Sequence, residues 1–135
     1  MNMETIHKEG MRIMNDKVNE ILGYFSKQIS ICGAKAKELE LEHRSDEAVF
    51  FKIRMNVYDA FSAVFSAGQK MAGNDEQKLA GFFLSRLEQI PKNWQNALKT
   101  AQQHEEAEKA HIETIKLETA AEIEREFRRI WEVNA

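Results

Sequence analysis

Proline occurs once and glycine six times in 135 residues, so the chain has few points at which a regular element must stop. Long uninterrupted elements are the consequence. The single cysteine, Cys32, allows no intrachain disulfide and leaves no second thiolate for metal or redox work. Apolar runs such as Ala48-Val49-Phe50-Phe51 and Gly81-Phe82-Phe83-Leu84 fall far short of the ~20 residues that cross a bilayer. No membrane partner is expected. The opening Met1-Asn2-Met3-Glu4 lacks the basic and apolar segments of a secretory signal, which makes the cytoplasm the default location. Positive charge is not in excess: 19 Lys and Arg against 22 Asp and Glu give a net charge of −3, which disfavours nucleic acid as a partner. Glycine-rich phosphate loops, Gly-x-Ser-x-Gly, His-Glu-x-x-His and Cys-x-x-Cys are missing, so the enzyme classes that carry such local motifs lose support.

What is present is a globular balance, 43% hydrophobic against 30% charged residues, in a chain long enough for one domain spanning 1–135 with its own core. The apolar residues recur at three- and four-residue steps, the stripe of amphipathic helices. From Glu4 to Ile29 the stripe is Met14, Val18, Ile21, Leu22, Phe25 and Ile29. Cys32-Gly33 should end this helix, because glycine suits the left-handed cap. A second stretch, Ala34 to Ala72, carries Ala36, Leu39, His43, Phe50, Ile53, Val57, Phe61, Val64 and Gly68 in phase. It reads either as one helix or as two with a break near Ser45, a capping residue. Gly73-Asn74-Asp75 is a stop and restart. A shorter helix from Glu76 to Gln89 presents Leu79, Phe82, Phe83, Leu87 and Ile90, and Pro91 should close it. Lys92 to Glu132, free of glycine and proline, predicts a final helix of about 60 Å. The expected fold is all-α, an elongated bundle of four or five helices with a long C-terminal helix. No internal repeat at a fixed period is visible in the sequence.

Two constellations bear on function. The predicted last helix outruns its neighbour, and its end carries Ile123, Phe127, Ile130 and Trp131, an apolar strip that monomers seldom leave open. These four are the candidate interaction residues. The other pattern is a glutamate three residues before a histidine, in Glu4/His7, Glu40/His43 and Glu108/His111. Residues three apart share a helical face, and such pairs hold iron or manganese in carboxylate-bridged bundles. Glutamate is abundant here, however, and the same spacing arises on solvated faces through ordinary Glu–His pairing. The tract His104 to Lys109 and the ladder of Glu122, Glu124 and Glu126 against Arg125, Arg128 and Arg129 fit wet helix faces. The aromatic group Phe50, Phe51, Tyr58, Phe61, Phe65, Phe82 and Phe83 fits a bundle core.

Together these features predict a non-enzymatic helical interaction module, an adaptor, scaffold or chaperone-like subunit without a cofactor. It would associate with itself, a dimer first, or with another protein. A metal-binding bundle using iron or manganese is the alternative, and a small-ligand-binding regulator the third.

Overall fold

The computed structural model describes residues 3–132, with side chains from Lys8 onward. Among the described residues there are four α-helices and no strand: α1 Met3–Leu41, α2 Ser45–Ala72, α3 Glu76–Gln103 and α4 Ala107–Trp131. The all-α bundle expected from the periodicity is present, but its boundaries differ at three places.

The first helix does not stop at Cys32-Gly33. Gly33 sits inside α1, where a Cβ would lie 3.5 Å from Met55 Sδ, and Cys32 is buried. The real break lies at residues 42–44, the second of the two options held open around Ser45, so that Ala34 to Leu41 belong to α1. The third helix passes through Pro91 and continues to Gln103. Proline removes one helical hydrogen bond at a cost of about 3 kcal/mol, yet Pro91 is itself buried, and burial of α3 along α4 outweighs the loss. The predicted long C-terminal helix is therefore two helices. α3 and α4 have 28 and 25 residues, roughly 40 Å each, so α4 does not outrun α3.

Two of the three connections share one geometry. In the first, Arg44 N–H donates to Leu39 C=O at 2.8 Å and His43 N–H to Glu40 C=O at 3.1 Å. In the second, Glu106 N–H donates to Ala101 C=O at 2.9 Å and Glu105 N–H to Gln102 C=O at 3.3 Å. Both are Schellman closures, in which the helix's last carbonyls are satisfied by a residue in the left-handed region. That residue is His43 (φ 61°) in one turn and Glu105 (φ 56°) in the other, where glycine is usual. The middle connection uses Gly73 (φ 59°), and Asp75 caps α3 by accepting from Lys78 N–H at 3.0 Å.

The helices run alternately up and down. α1 packs antiparallel on α2 and α3 on α4, while α2 and α4 lie against each other as the inner, parallel pair. The parallel register is visible in the pairs Phe50/His111, Tyr58/Glu122 and Phe65/Trp131. Phe83 of α3 is the hub of the core. Its ring lies 6.3 Å from Phe25, 6.2 Å from Phe61, 5.5 Å from Phe65 and 4.7 Å from Phe127, so one side chain ties α3 to the other three helices. Burying each such ring contributes about 1.5–3 kcal/mol, with edge-to-face contacts adding to it. At the upper end, Ala36, Leu39 and Ala48 form a separate small cluster with Phe51.

The two hairpins repeat each other at an offset of 62 positions, as from Leu39 to Ala101 in the turns. Ile21/Phe83, Phe25/Leu87, Val57/Thr119, Phe61/Ile123 and Phe65/Phe127 are all buried at matched positions. This is a repeat of burial rather than of residue identity, and it was therefore invisible as sequence self-similarity.

Candidate functional site

The expectation that Ile123, Phe127, Ile130 and Trp131 form an exposed strip is overturned. They are 0%, 0%, 5% and 7% exposed and fill this chain's own core. Trp131 stacks on Phe127 at 4.6 Å, edges onto Phe65 at 5.9 Å, and is capped by Lys17 at 5.9 Å. The physical reason is the break at residues 104–106: with α3 full length, the end of α4 lies against α1, α2 and α3 and needs no external cover.

The two glutamate–histidine pairs among the described residues are not brought together either. The side chains of Glu4 and His7 lie outside the described residues. Glu40 pairs with Lys52 across the α1–α2 hairpin, whereas His43 is the left-handed turn residue beyond α1. They therefore do not share a helical face, as metal chelation would require. Glu108 opens α4, and His111 one turn later rests its ring edge-on to Phe50 at 4.5 Å. Among the described residues no group of three or more His, Cys, Asp or Glu side chains is placed to hold a metal ion.

A polar crevice lies where α1, α2 and α4 meet. The Tyr58 hydroxyl donates to Glu122 Oε2 at 3.0 Å, and the Tyr24 hydroxyl reaches Glu122 Oε1 at 3.5 Å. The two rings meet edge to face at 6.0 Å. Burial above all, with the Glu122 charge beside it, raises the Tyr24 phenol above its ordinary value; burial, then Tyr24 and Glu122, raises Tyr58. Burial likewise pushes the Cys32 thiol up, opposed by Arg54 and reinforced by Glu122. These groups hold their protons at neutral pH. They act as hydrogen-bond donors that fix a surface carboxylate, and an activated nucleophile or base is not what this crevice provides.

A shaped surface runs along the α1–α2 hairpin. It is a groove of about 570 Å³ with the less exposed Gly33, Ala36 and Met55 as its floor and the exposed Ser30, Ala34, Lys37, Glu40 and Lys52 at its rim. Leu41 lies one helical turn beyond Lys37, and Val49 one turn before Lys52, so the same faces carry on into two apolar side chains that are 83% and 43% exposed. Small residues let a helix approach closely, and methionine adapts to the shape of what docks. These residues escape a reading of the sequence because Gly33 looks like a helix stop there, which divides the groove's α1 residues between two elements. The available signal was the spacing Ser30, Gly33, Ala34 and Lys37, a small-residue face on a helix that continues past glycine.

No helix among the described residues is long and apolar enough to cross a membrane. Comparisons with protein-family models, with curated proteins and with solved structures return no match for this chain.

Proposed function

We propose that this chain is a non-enzymatic helical interaction module, whose outer α1–α2 groove docks an amphipathic helix, that of a second copy first. The observation that carries the reading is the groove floored by Gly33, Ala36 and Met55 and prolonged by Leu41 and Val49. Its rim carries both signs of charge, Lys37 and Lys52 beside Glu40. A two-fold contact places one patch against itself, so it needs both signs within that patch. With two α1 helices antiparallel, Lys37 of each copy comes opposite Glu40 of the other, while Leu41 falls on the small-residue floor.

Sedimentation of the full chain across a concentration series tests this reading. A reversible dimer is expected, reduced to a monomer of unchanged helicity by Leu41→Glu with Val49→Glu; both side chains are exposed, so the core is left intact. A wild-type chain that stays monomeric to millimolar concentration, or a double variant that remains dimeric, overturns the proposal. Interaction with a different protein through the same groove would then have to be sought by crosslinking from Leu41.

A further inference from the structure

The 62-residue correspondence between the hairpins shows what one of them lacks. In the α1–α2 hairpin, Leu39 is 2% exposed and Phe51 packs beside it, so the space near the turn is filled. The corresponding residues of the α3–α4 hairpin are Ala101 and Glu113. A cavity of about 350 Å³ opens there, walled by Ala97, Ala101, Thr100 and Ile112, with Glu113 on one side and Glu106 and Lys109 at the mouth. This volume lies at the lower end of small-molecule sites.

The chemistry of the wall is specific. The Glu113 side chain is 15% exposed; its Oε1 accepts from Lys116 Nζ at 3.1 Å, and its Oε2 is buried with no hydrogen-bond partner. A buried carboxylate oxygen without a donor is an unmet demand. Glu113 lines the cavity, and the broad, shallow wells of a glutamate's final torsion would let its carboxylate turn an oxygen toward a bound donor. Lys109 is held by Glu106 and Lys116 by Glu113, leaving the carboxylate oxygen as the unsatisfied group. We propose that this cavity binds a small organic ammonium, with its apolar body between Ala97, Ala101 and Ile112 and its N–H donating to Glu113. The proposal stands independently of the α1–α2 groove.

The test uses benzylammonium as probe and benzoate as its opposite-charge counterpart, read by the methyl resonances of Ala97 and Ala101 in the intact chain. Saturable shifts with benzylammonium and none with benzoate are expected. Glu113→Gln should weaken binding about tenfold, the value of one charge-assisted hydrogen bond. Ala101→Leu, which copies the residue at the matching position of the first hairpin, should abolish it while helicity is kept. Equal response to benzoate, absence of saturation with benzylammonium, or undiminished affinity in a folded Ala101→Leu chain would each overturn the proposal. The discrimination between the two probes needs no variant, so the test survives even if Glu113→Gln fails to fold.

Discussion

The hydroxyl of Tyr58, on a side chain 2% exposed, donates to the carboxylate of Glu122 at 3.0 Å and so joins α2 to α4. Burial and the neighbouring charges hold this phenol, and that of Tyr24, above the ordinary value. The folded chain therefore keeps protons that the unfolded chain releases near pH 10. Stability is fully present below that pH and falls as the pH rises above it. Urea unfolding at a series of alkaline pH values should show this decline, and Tyr58→Phe should lessen it, leaving the part that Tyr24 contributes. The same variant should lose about 0.5–1.5 kcal/mol at neutral pH through the missing hydrogen bond.

Two glycines inside helices should respond in opposite directions to alanine. At Gly23 an added Cβ meets nothing within 4 Å, so the gain in helix propensity, about 1 kcal/mol, is kept. At Gly68 the Cβ would lie 2.8 Å from Phe82 Cδ1 and 3.0 Å from Leu79 Cδ1. Overpacking of roughly 1–3 kcal/mol then exceeds the propensity gain. Thermal unfolding of Gly23→Ala and Gly68→Ala should move the midpoint up and down respectively.

His43 and Glu105 hold left-handed backbone conformations in the two matched turns. A side chain there costs about 1–2 kcal/mol, so His43→Gly and Glu105→Gly should each stabilise the chain, by less than that because glycine also loosens the unfolded state. The two turns lie at the same end of the bundle, but the hydrogen bonds and ion pairs of each stay within its own hairpin, so their effects in a double variant should add in chemical denaturation.

Phe83 should be the most costly single truncation in the core. Removal of a fully buried ring costs about 3–5 kcal/mol, and here it empties the point where rings from α1, α2 and α4 converge. Phe83→Ala should lose more in denaturant unfolding than Phe51→Ala, whose ring is half-buried in the small upper cluster. Equal losses would mean that the core has no single hub.

The helices were legible because their apolar stripes are long, and the stripe residues Ile21, Phe25, Val57, Phe61, Leu79 and Phe83 are indeed core. The restart at Gly73-Asn74-Asp75 was legible because both its residue types do what their chemistry favours. The other two turns were hidden for the opposite reason: His43 and Glu105 occupy conformations that composition assigns to glycine. Gly33 and Pro91 misled in turn, since each looks like an end and lies within a helix held by packing. Placing the α3–α4 turn next to Pro91 rather than at residues 104–106 created the apparent surplus helix, and with it the strip at Ile123 to Trp131. The groove and the Glu113 cavity depend on how helices sit side by side, which periodicity along one helix does not report.

The parallel pairing of α2 with α4 has a kinetic side. Each hairpin closes through contacts local in sequence, a fast process, but the rings that meet at Phe83 come from both hairpins. A hairpin on its own would leave half of that aromatic cluster in water. The rate-limiting event in folding should accordingly be the collision of two preformed hairpins, and severing the chain between Gly73 and Asp75 would turn that first-order step into a second-order one.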